Sequence, residues 1–161
     1  MSGGCEPQVG IITMSETRTY CTFLLDGHCY GVPVQRVQEV LRHDEMTRVP
    51  LAPSEVSGLI NLRGQIVTVI NLRRRMNLPD GDPSRWGAYV IVERHGEIVS
   101  FLVDSLCDVR EVESDQFELP PSTLHGPGRE LIVGTYKTEH GLLIVLDVEK
   151  VSEVNSRATM K

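Results

Sequence analysis

GLINLRGQIVTVINLRRRM, residues 58–76, is the segment from which the fold class is inferred. It contains two short apolar runs, residues 58–62 and 66–70, whose β-branched side chains suit a buried sheet. Arg63-Gly64 stands between the runs, where the glycine allows a tight reversal of the chain. The pattern predicts a β-hairpin with a charge at its corner, which is either a solvated tip or a group positioned for a carboxylate.

A short helix is predicted directly after this hairpin. Asn71 is a suitable N-cap, and residues 72–76 contain helix-forming side chains without Gly or Pro. Arg73, Arg74 and Arg75 lie on this helix, and we interpret them as solvated side chains or as packed stems. A docking contact through these arginines is the alternative.

Strand patterns continue on both sides of the hairpin. Asp26-Gly27 between two apolar runs is a strong hairpin signal, and Pro33 ends the second run because it has no N–H to donate. The patterns predict strands at residues 19–25, 28–32, 38–41, 89–93, 97–103, 109–112, 131–136 and 142–146, helical turns at 34–37 and 116–118, and a helix at 148–154 capped by Asp147.

This order of elements is written twice along the chain. Laying Gly27 on Gly96 gives one offset between the copies, and laying Gly58 on Gly134 gives a slightly longer second offset. The first offset aligns Tyr20 with Tyr89, Val34 with Val103, Glu39 with Asp108 and Val40 with Val109. Each copy reads hairpin, short turn, strand, loop, hairpin, helix.

The predicted architecture is all-β, with two small barrels of about five strands each, because short strands and tight turns favour barrels without open edges. A single larger sandwich is the alternative. The lobes are expected at residues 19–76 together with the C-terminal helix, and at residues 86–146, with a turn-rich connector at 77–86. Residues 1–18 are expected to form a flexible arm and residues 156–161 a tail.

The composition limits the classes of function. A net charge of −6 disfavours a nucleic-acid or anionic-membrane surface, and an aromatic content of 5% disfavours base stacking. No pattern of a signal peptide or a membrane span is present, so we expect a cytoplasmic location. The cysteines have no CxxC spacing, and Cys21 is expected to face Val32 rather than Cys29. Free thiols are therefore expected at Cys5, Cys21, Cys29 and Cys107.

No catalytic constellation is present in the sequence pattern, and no metal or cofactor is expected. The histidines lack the spacing of metal ligands, and there is neither a GxSxG elbow nor a P-loop. Glu139-His140 is the nearest approach to a dyad, but nothing supplies an oxyanion hole. A small hydrolase working through Cys29 or His140 and a nucleic-acid-binding barrel remain as alternatives to a protein-binding module.

A protein-binding module is the favoured interpretation, because two barrels side by side leave a groove that suits a helix. Val37, Leu106 and Val109 occupy similar positions in the two repeats and are candidates for that groove, with an ordinary core role as the alternative. Glu39 and Arg63 carry opposite charges on neighbouring elements and are candidates for an ion pair beside it.

Four motifs together resemble one known family. YGVPVQRVQEV (30–40), NLRGQIVTVINLRRRM (61–76), FLVDSLCDV (101–109) and LLIVLDVEKV (142–151) resemble CheW, the coupling protein of bacterial chemotaxis. The resemblance spans residues 19–155 and implies two intertwined SH3-like five-stranded barrels. It also implies a non-catalytic adaptor that joins the cytoplasmic tip of a chemoreceptor to the regulatory domain of the kinase CheA, in arrays at the inner face of the membrane.

The resemblance carries further expectations about partners and residues. Other CheW-like domains in array rings are a further candidate partner, and a pilus- or surface-sensing pathway is the alternative setting. The kinase contacts are expected at the ends of the barrels, one of them near residues 120–130. The receptor-binding positions are matched by Val37, Leu106 and Val109, with Glu39 and Arg63 as a supporting salt bridge and Ser100, where the family often has glycine, crowding the groove.

Overall fold

The computed structural model describes residues 16–42, 46–81, 87–120, 122, 126 and 128–154. Most of the predicted arm, part of the connector at 77–86, part of the loop at 120–130 and the tail at 156–161 lie outside the described residues. The predicted end of the arm is placed too late, because Thr17 and Arg18 already pair with Glu113 and Val112.

Short strands and tight turns make up most of the described chain. The strands are β1 (Thr17–Leu25), β2 (His28–Pro33), β3 (Val37–Arg42), β4 (Val56–Leu62), β5 (Gln65–Asn71), β6 (Ala88–Arg94), β7 (Glu97–Val103), β8 (Ser105–Glu113), β9 (Phe117–Glu118), β10 (Ile132–Thr138) and β11 (Gly141–Leu146). The helices are α1 (Leu72–Arg75) and α2 (Val148–Ser152), with 3-10 turns at Val34–Arg36, Ser114–Gln116 and Arg129–Leu131.

Local sequence chemistry accounts for the starts of both helices. The side chain of Asn71 accepts a hydrogen bond from the backbone N–H of Arg74, and Asp147 accepts one from Lys150. Each cap satisfies a backbone donor that the first turn of a helix leaves open. The predicted helical turn at 116–118 is wrong: the 3-10 turn lies at Ser114–Gln116 without a side-chain cap, and the strand β9 follows it.

The strands form two sheets, and each sheet takes strands from both halves of the chain. The first sheet has the order β8-β1-β2-β11-β10-β9, and the second has the order β3-β6-β7-β5-β4. Most neighbours are antiparallel, but β2 pairs with β11 and β5 pairs with β7 in parallel. The predicted lobes at 19–76 and 86–146 therefore do not coincide with the sheets, since the strand pairs that join the halves are distant in sequence.

The repeat explains this exchange of strands between the two halves. The offset that lays Gly58 on Gly134 also lays β4 on β10 and β5 on β11, so it reproduces both hairpins. In each sheet, the first hairpin of one repeat is bordered by the later strands of the other repeat. The two halves are therefore intertwined rather than packed as separate contiguous units.

Each sheet curls so that its two edges approach each other. In the first sheet, the chain passes from β8 through the turn at Ser114–Gln116 to β9, which pairs with β10 at the opposite edge. In the second sheet, Thr47 bridges to Leu59 on β4, with backbone nitrogen to carbonyl oxygen distances of 2.8 and 2.7 Å. Gly58 allows this approach, because a Cβ there would clash with the carbonyl oxygen of Thr47.

The buried apolar residues of the described chain form three clusters, and this division argues against the single-sandwich alternative. Inside the first sheet lie Tyr20, Val112, Tyr136, Leu143 and Val145, and inside the second lie Ile60, Val67, Val69, Tyr89 and Ile91. A third core joins the sheets, with Phe23 and Val32 from the first packed in one cluster with Val90 and Phe101 from the second. We call this third cluster the shared core.

Candidate functional site

We call β3, an edge strand that carries a β-bulge, the first wall of the groove that the sequence predicts. Val37 lies opposite Val92 and Val40 lies opposite Val90, with a register shift between Val37 and Glu39. Directly paired side chains share a face of a sheet, and both partners belong to the shared core. The bulge therefore turns Val37 and Val40 toward the same side of the sheet.

The second wall is β8, the edge strand of the other sheet, which repeats this arrangement. Leu106 lies opposite Phe23 and Val109 lies opposite Cys21, again with a register shift between the two pairs. Phe23 and Cys21 both belong to the shared core. Leu106 and Val109 are thus the counterparts of Val37 and Val40 on the first wall.

Exposure separates these four side chains into an inner and an outer pair. Val37 and Leu106 are half-buried and pack against the shared core. Val40 and Val109 are 42% and 58% exposed, which is high for valine on a strand. Each wall therefore offers one anchored and one accessible apolar side chain to a partner.

Val40 is the wall residue that our sequence interpretation did not select. Strict alternation along β3 would place Val37 and Glu39 on one face and Val40 on the other. The bulge reverses this expectation, and bulges leave little trace in a single sequence. The internal repeat could have identified Val40 as a wall residue, because the offset that lays Gly27 on Gly96 also aligns Val40 with Val109.

The structure contains the predicted ion pair between Arg63 and Glu39. Arg63 lies at the corner of the β4–β5 hairpin with a φ of 53°, followed by Gly64 with a φ of 86°. Its Nη1 and Nη2 groups donate to the Glu39 Oε2 atom at 2.7 and 2.6 Å. The Arg63 side chain is 68% exposed and the Glu39 side chain 27%, so the pair borders solvent beside the first wall.

Ser100 does not lie where we expected it. Its side chain has no exposed surface, and it pairs with Val69 on β5 and Ile91 on β6, which belong to the core inside the second sheet. Its Oγ atom is buried without a hydrogen-bond partner. Ser100 thus crowds the interior of a barrel rather than the groove, and it cannot contact a partner directly.

The arginines of α1 are bound within the chain, and the expectation of solvated or packed side chains divides between them. The Arg73 side chain is packed and only 17% exposed, whereas the Arg74 side chain is 45% exposed. Arg73 donates to Asp104 and Arg74 donates to Asp80, each through two nitrogens. Arg75 donates to the carbonyl oxygens of Val151 and Lys150 in α2 at 3.0 and 2.7 Å. These internal contacts also disfavour the alternative of a docking contact.

The Cys29 thiol, one of the candidates for catalysis, lacks the environment of an activated nucleophile. Burial raises the pKa of the Cys29 thiol, which disfavours the nucleophilic thiolate. Cys21 lies opposite Val32 as predicted, and Cys21, Cys29 and Cys107 are free thiols. Within the part of the chain that the structure describes, no three His, Cys, Asp or Glu side chains converge as metal ligands. None of the described helices is long and apolar enough to cross a membrane.

Comparison with known proteins relates this geometry to one family. A family model described as a CheW-like domain matches residues 19–155. The chemotaxis protein CheW of Treponema pallidum is 31% identical over 135 residues, which cover 81% of this chain and 79% of that protein. The chemotaxis protein CheW of Bacillus subtilis is 30% identical over 134 residues, with 83% and 86% covered.

A solved structure shares the fold as well as the sequence pattern. The crystal structure of the scaffolding protein TtCheW from Thermoanaerobacter tengcongensis is similar with a TM-score of 0.79 and 28% identity. The match covers 87% of this chain and 95% of that chain. The predicted all-β architecture of two small subdomains is therefore confirmed.

Proposed function

The chain belongs to the CheW-like family of chemotaxis coupling adaptors, and from this premise we propose which partners it joins and through which surfaces. The surface between β3 and β8 holds the helical cytoplasmic tip of a chemoreceptor. A separate surface holds the regulatory domain of the histidine kinase CheA. The protein then lies at receptor arrays on the inner face of the membrane, which it reaches only through the receptors.

The two matching bulged strands carry this proposal. Val37 and Val40 on one wall and Leu106 and Val109 on the other present apolar side chains beside the shared core. An amphipathic helix is recognised by such apolar anchors at intervals along a groove. The Arg63–Glu39 pair, at the border of the first wall, supports the shape of the receptor-facing surface.

A second partner needs an accessible surface outside this groove. Ile66 on β5 and Leu142 on β11 are 61% and 45% exposed, and they occupy equivalent positions in the two repeats. Both follow the turn of the second hairpin of their repeat, at the rim of a barrel. These side chains are our candidate contacts for the kinase or for another CheW-like domain in an array ring.

The proposed work is coupling without catalysis. An adaptor that holds receptor and kinase together transmits a signal when its complexes with the two receptor states differ in free energy. A defined geometry between the two binding surfaces is then the functional property. The net charge of −6 opposes the alternative of a nucleic-acid-binding barrel.

Calorimetric titration of the full chain tests the proposal. A receptor tip fragment and the CheA regulatory domain should each bind saturably with one site. Val109→Glu, which places a charge on the second wall, should remove receptor binding and leave kinase binding intact. Parallel titrations with receptor fragments from flagellar and pilus-sensing systems identify the pathway, and the absence of saturable binding to every fragment and to the kinase domain would refute the proposal.

A further inference from the structure

Arg73 lies at the centre of a polar cluster that connects α1 with the first sheet. Its Nε and Nη2 groups donate to the two carboxylate oxygens of Asp104 at 2.8 and 2.6 Å. Its Nη1 group lies 3.5 Å from Asp26 Oδ1 and donates to the carbonyl oxygen of Pro79 at 2.7 Å. The Arg73 side chain is only 17% exposed, so water screens these contacts weakly.

Glu149 lies at the centre of a second cluster, which connects α2 with the second sheet. Its Oε2 atom accepts a hydrogen bond from Arg36 Nη2 at 2.5 Å. Its Oε1 atom lies 2.7 Å from His95 Nε2 and 3.6 Å from Arg94 Nε. The hydrogen bond from Arg36 holds the pKa of the Glu149 carboxyl below its ordinary value.

The two clusters are built at equivalent positions of the repeat, around central side chains of opposite charge. Arg73 and Glu149 occupy equivalent positions of α1 and α2, related by the offset that lays Gly58 on Gly134. Asp26 and His95 occupy equivalent positions in the turns of the first hairpins, directly before Gly27 and Gly96. The cation of one copy is therefore replaced by an anion in the other, and its main partner changes from the carboxylate of Asp104 to the guanidinium of Arg36.

Each cluster also fixes the residue from which a groove wall starts. Asp104 directly precedes β8, the strand of Leu106, and Arg36 directly precedes Val37 on β3. Arg36 is held further by two donations to the carbonyl oxygen of Glu93, at 3.1 and 2.9 Å. The start of each wall is thus tied by charge-assisted hydrogen bonds to a helix that follows a strand of the other sheet.

We propose that the Arg73 and Glu149 clusters are paired clamps that set the positions of β8 and β3, and thereby shape the groove for the receptor helix. Arg73 and Glu149 are positioning residues, which act through Asp104 and Arg36 and do not touch the receptor. The expected effect on receptor affinity rests on the proposed function, whereas the positioning of β8 and β3 does not.

Directional contacts are suited to this role because apolar packing is not directional. The shared core holds the sheets together, but burial of apolar surface alone tolerates small shifts of the edge strands. Charge-assisted hydrogen bonds with two oxygens of one carboxylate fix both distance and angle. Exchange of the two helices would place Arg73 beside Arg36 and Glu149 beside Asp104, so the opposite charges also select the correct helix for each wall.

Residual dipolar couplings of backbone amides test the clamps without any partner. We expect Arg73→Gln to change the couplings of β8 and leave those of β3 unchanged, and Glu149→Gln to do the reverse. Arg74→Gln is the matched control, because Arg74 lies on the same helix but binds the exposed Asp80. Asp104→Asn should reproduce the effect of Arg73→Gln and replaces that variant if its folding is impaired. Unchanged couplings in β3 and β8 in all clamp variants would overturn the inference.

Receptor affinity tests the functional consequence. Arg73→Gln and Asp104→Asn should each weaken binding of a receptor tip fragment by about tenfold, and their combination should weaken it no further, because both remove one contact. Binding of the CheA regulatory domain should not change. If receptor affinity is unaltered in these variants but lost in Val109→Glu, the clusters do not shape the binding surface. Receptor binding between β3 and β8 would still be supported. Lack of receptor binding by the wild-type chain would refute the proposed function, and the dipolar couplings would still decide whether the clamps hold the strands.

Discussion

Arg63 and Glu39 join the corner of the β4–β5 hairpin to the edge strand β3, with two guanidinium nitrogens on the single Oε2 atom of Glu39 at 2.7 and 2.6 Å. The Nη1 and Nη2 groups of Arg63 therefore donate to the same oxygen of Glu39, and its Oε1 atom does not take part in this ion pair. Since β3 and β4 are the opposite edges of the second sheet, the pair reinforces the approach of these edges. Its exposure suggests a role in shape rather than in global stability.

Arg63→Ala should therefore separate binding from stability. The free energy of unfolding should fall by less than about 1 kcal/mol, because exposed ion pairs contribute little. Receptor affinity should fall by about tenfold, since the loop beside the first wall loses its anchor. Urea denaturation and calorimetry measure the two effects. The reversed pair Arg63→Glu with Glu39→Arg should recover most of the affinity, and a reversed pair as weak as Arg63→Ala would contradict this role.

Val40→Glu should abolish receptor binding, although the sequence pattern alone did not select this residue. A carboxylate on the first wall would have to lose its hydration against an apolar helix face. Val133→Glu is a matched control, because Val133 on β10 is 43% exposed and Val40 is 42% exposed. Calorimetry with the receptor tip fragment should distinguish the two variants, and equal losses of affinity would show that Val40 has no special place in the interface.

Ser100→Ala should stabilise the fold and leave receptor binding unchanged. The substitution removes a buried hydroxyl without a partner, and we expect the free energy of unfolding to rise by about 1 kcal/mol. Ser152→Ala is the control, because the Ser152 hydroxyl donates to the carbonyl oxygen of Val148 at 2.6 Å and its loss should destabilise. Urea denaturation of both variants provides the comparison, and a loss of stability in Ser100→Ala would show that its hydroxyl is satisfied in solution.

The free energy of unfolding should be sensitive to alkaline pH because of Tyr20, which lies in the hydrophobic cluster inside the first sheet. Burial and a 3.2 Å hydrogen bond with the Tyr136 hydroxyl raise the pKa of Tyr20 to about 12. The ordinary tyrosine pKa is about 10, so the unfolded chain ionises first. The stabilising effect of the neutral phenol is complete below pH 10 and is lost as the pH rises toward about 12.

Denaturation of the wild type and of Tyr20→Phe across this pH range isolates the effect of the tyrosine. The wild type should lose stability more steeply than the variant between pH 10 and about 12, because only the wild type carries the Tyr20 phenol, whose pKa is raised to about 12. The Tyr30 phenol, whose pKa burial also raises, contributes equally to both proteins and cancels in the difference. Parallel curves would mean that the Tyr20 phenol is not protected from ionisation in the folded state.

Local features of the fold were accessible from the sequence because neighbouring residues determine them. The turns at Asp26 and Arg63 both have positive φ values before a glycine, as the dipeptides indicated. The helix caps Asn71 and Asp147 were identified for the same reason, since a cap bonds to a backbone group within the next helical turn. The repeat was visible because it preserves the order of such local signals.

The choice of strand partners was not accessible in the same way. β2 could in principle lie beside β5 of its own repeat or β11 of the other, and the two hairpins have similar apolar patterns. The wrong assignment of lobes follows from this ambiguity, and the misplacement of Ser100 follows from not knowing which neighbours flank β7. The partners of Arg73 depend on the same long-range pairing, so the sequence left open whether that arginine is solvated or packed.

Simultaneous binding of the two partners is the decisive test of an adaptor with two separate binding surfaces. Amide chemical shifts of the isotopically labelled full chain should first be recorded with the receptor tip fragment and then after addition of the CheA regulatory domain. We expect the receptor to shift the amide signals of residues in β3 and β8, and the kinase domain then to shift a separate set without displacing the receptor. Displacement of the receptor by the kinase domain, or one common set of shifted residues, would contradict an adaptor with two distinct surfaces.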